Sequence, residues 1–156
     1  PPHPHPGILH PGGPDPASAP QLARDRRYGK FMRFMGHVSR SSALEAQQNA
    51  DLLLLLEDAA PEARGVLTGK LFEYTTAGKP ILCVGSSPEY EIVQVLQATS
   101  TGRVFGPEEY DQPAVVPLET VAGSGLYDAY RPSLDAIMRY SRERQARRML
   151  NVVTND

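Results

Sequence analysis

The segment from Gly65 to Tyr74 carries residue types whose spacing suits the binding of a phosphate and a sugar. Thr68-Gly69-Lys70 stands where the pattern predicts a helix to begin, and backbone amides at a helix N-terminus attract phosphate. Lys70 would add a point charge suited to a diphosphate. Glu73, on the same helix face, could accept hydrogen bonds from sugar hydroxyls. The alternative is a capped surface helix on which Lys70 and Glu73 pair with each other.

Short apolar runs alternate with helical patterns around this segment. Leu52–Leu56 is a continuous apolar run, typical of a parallel strand that is covered on both faces. The predicted elements are strand Phe31–Met35, helix Ala43–Ala50, strand Leu52–Leu56, helix Gly69–Ala77, strand Ile81–Val84, helix Glu89–Ala98, strand Arg103–Phe105, helix Leu118–Tyr127 and a last helix containing Ala146, Met149, Leu150 and Val153. This order predicts an α/β fold with a parallel sheet, right-handed crossovers and helices on both faces.

In such sheets, ligands bind at the carboxyl ends of the strands, here Gly36–Val38, Glu57–Lys70 and Gly85–Pro88. The helix starts are predicted from a capping box formed by Ser42 and Glu45, from a cap at Thr68, and from the Ser87-Pro88 pair. Gly78 is predicted to end its helix in a left-handed conformation. Asp51, Glu57 and Asp58 are interpreted as exposed loop charges, with an acid/base pair as the alternative.

The composition excludes several classes of protein. A formal charge of −2 and a pI near 6.1 argue against a nucleic-acid binder. The single cysteine, Cys83, cannot form an internal disulfide and is expected in the core. No apolar run approaches the roughly 20 residues that span a bilayer, and no signal peptide is visible. We therefore expect a soluble, cytoplasmic protein.

The N-terminus differs in composition from the remainder. Residues 1–20 hold eight of the 15 prolines and three of the four histidines, without Lys or Arg. Proline at this density blocks helices and sheet ladders, so residues 1–27 are predicted to be a disordered leader and 28–156 the α/β domain. His3, His5 and His10 could bind a transition metal, but compositional bias is the plainer explanation.

Three blocks of sequence follow one another in a specific order: Ala50 to Leu55, Gly65 to Tyr74, and Ala77 to Leu82. Phe34 to Val38 precedes them, and Tyr130-Arg131-Pro132 and Tyr140-Ser141-Arg142 follow. This arrangement resembles the C-terminal, donor-binding domain of GT-B glycosyltransferases of the group 1 (GT4-like) type. The resemblance covers about residues 31–156 and implies a Rossmann-like parallel sheet flanked by helices, one half of a GT-B fold.

The resemblance implies roles for individual residues. Glu73 matches the glutamate that holds the ribose hydroxyls of a nucleotide sugar. The run Thr68-Gly69-Lys70-Leu71 matches the helix start that faces the diphosphate, and His37 and Val38 match a loop beside the base. The implied activity is transfer of a hexose-like sugar from a nucleotide diphosphate in polysaccharide biosynthesis. No cofactor or metal is expected, because retaining members need none and no Asp-x-Asp motif is present.

Two departures from the family pattern bear on function. Many relatives carry a glutamate near the transferred sugar at the position of Gly65. An intact GT-B enzyme also has an N-terminal acceptor domain and an Arg/Lys pair before the first strand, and Pro-rich sequence stands in their place here. The resemblance thus implies a donor-binding half that is inactive without an acceptor domain or subunit, and no catalytic residue is assigned.

Two alternative functions stay open, and one basic segment has more than one interpretation. The chain could be a non-catalytic nucleotide-binding or protein-interaction module that docks through the apolar stripe of its last helix. It could instead be half of a nucleotide-sugar epimerase, although the acid/base residues of those enzymes are not recognisable. The segment Arg139 to Arg148 has five arginines and one glutamate. This basic segment could make peripheral contact with anionic lipid at the inner face of the membrane. It could also be a solvated surface or a surface that docks to an acceptor domain.

Overall fold

The computed structural model of the chain describes residues 8–10, 32–57, 64–106, 127 and 130–154. The chain divides into two compact units, Pro1–Asn49 and Ala50–Asp156, and each is described by itself. Within the described residues, none of the helices has the length and apolar character needed to cross a membrane.

The first unit contains two paired strands and a helix. Strand β1 (Ile8–His10) lies parallel to β2 (Met32–Phe34), and helix α1 (Arg40–Asn49) follows. The structure differs from the predicted disordered leader at β1, because backbone ladder bonds stabilise even a short extended segment beside a partner strand. The other residues of that leader lie outside the described part of the chain.

Helix α1 begins at Arg40 and not at the predicted Ala43. Ser39 caps it: its Oγ accepts from Ser42 N–H at 3.1 Å, and its carbonyl accepts from Ala43 N–H at 3.0 Å. The capping box predicted from Ser42 and Glu45 is wrong, because Ser42 lies inside the helix. Four consecutive residues, Ser39 to Ser42, include three serines, so the residue type alone does not locate the cap.

The second unit is built on a three-stranded parallel sheet. Its order is β3 (Leu53–Leu56), β4 (Ile81–Val84) and β5 (Gly102–Phe105), with β4 in the middle. Leu53 and Leu55 are buried, which confirms the interpretation of the leucine run as a strand of a parallel sheet, but Leu56 is 67% exposed, so the predicted cover on both faces does not reach the end of the run. The sheet with its flanking helices confirms the predicted α/β, Rossmann-like class.

Two helices connect these strands and complete the core. They are α2 (Gly69–Thr76), between β3 and β4, and α3 (Glu91–Thr99), between β4 and β5. Leu71 of α2 and Leu96 of α3 are completely enclosed. Burying each leucine contributes about 1.5–3 kcal/mol, so packing on the sheet fixes both helices. Gly78 has a φ of +74°, which confirms the predicted left-handed stop after α2.

Helix α3 begins later than the Ser87-Pro88 pair predicts. Tyr90 is its N-cap residue, in an extended conformation and without a side-chain capping bond. Ser87 closes a turn before the helix, since its carbonyl accepts from Tyr90 N–H at 3.0 Å. The predicted start at Glu89 is wrong because a proline in the second position suits this turn as well as it suits a first helical turn.

The C-terminal segment is tied to the end of α3. Arg131 N–H donates to Ser100 C=O at 3.1 Å, and Ser133 N–H donates to Thr99 C=O at 3.0 Å. Ser133 also caps helix α4 (Leu134–Arg139), its Oγ accepting from Ala136 N–H at 3.3 Å. The segment that resembles the tail of the family therefore packs on the α/β unit.

The last helix, α5 (Arg142–Thr154), confirms the predicted helical periodicity. None of its residues is buried, and its large apolar side chains are exposed. These side chains are Met149, Leu150, Val152 and Val153. The helix predicted over Leu118–Tyr127 lies outside the described residues, except for Tyr127.

Candidate functional site

The loops suited to hold a ligand lie where the strands of the second unit end, at what we name the carboxyl edge of the sheet. Because β3, β4 and β5 are parallel and follow one another through α2 and α3, both helices begin at this edge. The predicted residues Thr68, Gly69, Lys70, Leu71 and Glu73 fall together at the first turns of α2, and we name them the α2-start site.

Thr68 stands at the N-cap of α2, as predicted, but does not cap it with its side chain. Its backbone is extended (φ −80°, ψ 151°), and its hydroxyl forms no capping bond. Thr68 Oγ1 is buried, and among the described residues it has no hydrogen-bond partner. A buried hydroxyl without a partner is unfavourable. Thr68 therefore brings a buried polar group without a described partner to the start of the helix.

The other residues of the α2-start site differ in what they offer a ligand. Gly69 and Lys70 are exposed, and Glu73 is half-buried. The Leu71 side chain is enclosed in the core, and its N–H donates to Thr68 C=O at 3.2 Å. Leu71 thus fixes the helix to the sheet, while Gly69 and Lys70 carry amides that an α-helix leaves without an internal partner.

Glu57, the first residue after β3, lies at this edge, at the start of the predicted ligand-binding segment Glu57–Lys70 and among the charges predicted to be exposed. In the structure it is half-buried, so that assignment is wrong for Glu57, whereas Asp51 is exposed as predicted and Asp58 lies outside the described residues. Burial raises the pKa of the Glu57 carboxyl, and the positive charge of Lys70 opposes that rise. Its position directly after a buried strand was the signal for this placement.

Cys83, in the middle of β4, is buried as predicted. Burial, with a smaller contribution from the negative charge of Glu57, raises the pKa of the Cys83 thiol to about 12. The thiol is therefore protonated at neutral pH, and only a thiolate is an effective nucleophile. Cys83 serves the packing of the sheet.

The turn after β4 brings a second buried hydroxyl to the carboxyl edge. Gly85 has a φ of +102°, and Ser86 beside it is completely buried. In the part of the chain that the structure describes, Ser86 Oγ has no hydrogen-bond partner. Ser86 lies within the predicted ligand-binding loop Gly85–Pro88, but nothing in the sequence distinguishes a buried serine from an exposed one.

The remaining predicted residues, His37 and Val38, belong to the first unit. They follow β2, with His37 exposed and Val38 half-buried, and the preceding Gly36 has a φ of +64°. The α2-start site belongs to the second unit. The structure thus brings five of the predicted residues together and describes these two separately.

In the described ranges, no group of three or more His, Cys, Asp or Glu residues is placed to hold a metal ion. The predicted leader histidines His3 and His5 lie outside those ranges, and of His10 only the backbone is described.

Comparison with known proteins bears on the fold. No protein-family model matches the sequence, and no curated protein matches it. Among solved structures, the chain is similar to AviGT4, a glycosyltransferase involved in avilamycin A biosynthesis, with a TM-score of 0.57 and 20% sequence identity. The match covers 93% of this chain and 44% of AviGT4, so the chain spans less than half the length of that protein. This likeness shows that the chain shares its α/β fold with part of that glycosyltransferase.

Proposed function

We propose that the chain is the donor-binding half of a glycosyltransferase that uses a nucleotide diphosphate sugar. The observation that carries this proposal is the α2-start site, in which the first residues of a helix, an exposed lysine and a half-buried glutamate occupy the carboxyl edge of a sheet whose fold is similar to that of a glycosyltransferase. The family resemblance extends the proposal to the group 1 (GT4-like) GT-B enzymes, to polysaccharide biosynthesis and to a cytoplasmic location.

The start of α2 would bind the diphosphate. The amides of Gly69 and Lys70 and the positive end of the helix dipole favour an anion at this position. Lys70 adds a full charge, and the Thr68 hydroxyl is a further donor. Because the charge of Lys70 acts on Glu57 in the unliganded chain, a diphosphate would compete with that carboxylate for the ammonium group.

Glu73 would bind the ribose of the nucleotide. It lies one helical turn beyond Lys70, so both side chains project from the same face of α2. A carboxylate accepts hydrogen bonds through two oxygens, which suits two neighbouring sugar hydroxyls. His37 and Val38 would contact the base, as the resemblance implies.

Glycosyl transfer needs the nucleotide diphosphate to be stabilised as it leaves, which is the contribution of the α2-start site in this proposal. It also needs an acceptor that is held in line with the anomeric carbon. Since the chain spans 44% of AviGT4, we propose that an acceptor domain or subunit supplies that part of the site. The 156-residue chain alone would then bind the donor without transferring the sugar.

A second candidate is a non-catalytic interaction module, which the exposure of α5 favours. Met149, Leu150, Val152 and Val153 are each more than half exposed, and such a surface is typical of a docking face. In this alternative, the fold is retained while the α2-start site binds no nucleotide.

Calorimetric titration of the full chain with UDP, GDP and ADP tests the proposal. We expect one nucleotide to bind with about −4 to −6 kcal/mol, a dissociation constant between about a millimolar and tens of micromolar. Glu73→Ala should weaken binding about tenfold, through the loss of charged hydrogen bonds to the ribose. Glu143→Ala, which removes an exposed glutamate of α5, is the matched control and should bind like the wild type.

The outcomes separate the two candidates. Binding that depends on Glu73 and not on Glu143 supports the donor-binding half. Failure of the wild-type chain to bind any of the three nucleotides would overturn that proposal and favour the interaction module.

A further inference from the structure

A hydrogen bond joins the loop before α2 to the first turn of α3. Gly65 N–H donates to Glu91 Oε2 at 2.9 Å, across 26 positions of sequence. Gly65 has a φ of +79°, a backbone conformation that glycine adopts without strain. The chain therefore turns at Gly65 in a way that directs its amide to a carboxylate of the neighbouring helix.

The loop that this bond holds has little burial to fix it. Val66 and Leu67, between Gly65 and the N-cap Thr68, are 55% and 36% exposed. Few apolar contacts imply a low cost of local opening. Within the described residues, the hydrogen bond from Gly65 N–H to the Glu91 carboxylate therefore restrains a loop segment that burial holds only weakly.

Glu91 is in turn a firm anchor. It begins α3, whose residues Ile92, Val95 and Leu96 are buried in the core. A negative side chain in the first turn of a helix is favoured by the helix dipole. The backbone of Glu91 thus belongs to the rigid part of the unit, and its carboxylate joins the loop to that part.

We propose that Glu91 is a positioning residue of the α2-start site. By holding Gly65 it fixes the path of the chain into Thr68, and through Thr68 the direction in which the amides of Gly69 and Lys70 point. Glu91 acts through the loop and does not touch the ligand. The inference rests on the proposed function, because it concerns the nucleotide that the site binds.

The test compares Glu91→Ala, Glu91→Gln and the control Glu89→Ala, an exposed glutamate in the turn before α3. Each full-length variant is titrated with the nucleotide that the wild type binds best. We expect Glu91→Ala to weaken binding about fivefold, through the loss of the ordering of the loop. Glu91→Gln keeps an acceptor oxygen and should recover most of the affinity, and Glu89→Ala should bind like the wild type.

Thermal unfolding and the NMR signal of the Gly65 amide accompany each titration. The proposal predicts that the Gly65 signal moves in Glu91→Ala while the variant stays folded. Equal affinities for the wild type and folded Glu91→Ala would overturn the role of Glu91 and leave the donor site standing. Equal loss in Glu91→Gln and Glu91→Ala would also overturn it, because a hydrogen-bond acceptor would not suffice. Absence of binding by the wild type would overturn the proposed function and this inference with it.

Discussion

Gly85 lies so close to the backbone carbonyl of Glu57 that a Cβ atom at position 85 would overlap the oxygen. The ends of β3 and β4 meet at this point, where Glu57 N–H also donates to Val84 C=O at 2.9 Å. Position 85 requires glycine for two reasons: the close approach to the Glu57 carbonyl leaves no room for a side chain, and the backbone φ is +102°. The ends of β3 and β4 can approach each other this closely at the carboxyl edge because position 85 has no side chain.

Gly85→Ala should destabilise the fold more than Gly78→Ala, because both glycines have a positive φ but only Gly85 also has a close backbone neighbour. Gly78 has a φ of +74° with open space around it, so Gly78→Ala should cost about 1 kcal/mol of the free energy of unfolding. Gly85→Ala adds the overlap with Glu57 and should cost roughly 3 kcal/mol or more. Urea denaturation of both variants measures the difference. Equal costs would contradict the close contact.

Glu57 should make stability depend on pH. Burial raises its pKa in the folded state, so folding favours the protonated carboxyl, and this contribution to stability is lost as the pH rises through the folded-state pKa. Glu57→Gln should therefore be more stable than the wild type at pH 7, by less than about 1 kcal/mol because partial exposure screens the effect. The advantage should vanish below about pH 4, where both side chains are neutral. Denaturation at several pH values, with Glu89→Gln as control, tests this; a variant less stable at pH 7 would contradict it.

Two buried hydroxyls should respond in opposite ways to removal. Thr99 Oγ1 donates to Val95 C=O at 2.7 Å, so Thr99→Val should cost about 1 kcal/mol. Ser86 Oγ is buried without a partner among the described residues, so Ser86→Ala should leave stability unchanged or raise it by up to about 1 kcal/mol. Paired denaturation curves compare them, and a clear loss in Ser86→Ala would show that its hydroxyl is bonded.

Leucines of α3 and α5 should differ sharply in their contribution. Leu96 is fully enclosed, and Leu96→Ala should cost about 2–5 kcal/mol. Leu150 is 61% exposed, and Leu150→Ala should change stability by less than about 0.5 kcal/mol. Thermal unfolding of the full chain measures both. A large loss in Leu150→Ala would mean that the face of α5 is covered in solution, for example by a second copy.

The strands of the second unit were predictable because their signals are local. The leucine run of β3 and the apolar run of β4 each lie between turn residues, and their length and content indicate strands. Helix starts were less predictable, as the early start of α1 and the late start of α3 show. Ser39 and Ser42 are equally good caps by residue type, and only the paths of the flanking chain decide between them.

The sequence predicted those residues of the candidate site that follow one another along the chain. Residues 68–71 and Glu73 belong to one helix start, so one local pattern identifies them all. The sequence places Glu57 in the predicted ligand-binding segment Glu57–Lys70 but reveals neither its partial burial nor the influence of the Lys70 charge on it, and it does not reveal the hydrogen bond between Glu91 and Gly65. Such relationships depend on how the helices and loops pack on the sheet, and the spacing of residues along the chain does not reveal that packing.

Each strand of the second unit pairs with the strand that comes next in the chain, with one helix between them. Leu53 pairs with Ile81 and Ile81 pairs with Gly102, so each pairing closes a loop that contains a single helix, and the entropic cost of closing such a loop grows only slowly with its length. During synthesis from the N-terminus, β3, α2 and β4 can assemble while α4 and α5 are still in the ribosome. The carboxyl edge from Glu57 to Gly85 would thus be the first part of this unit to take shape in the cell.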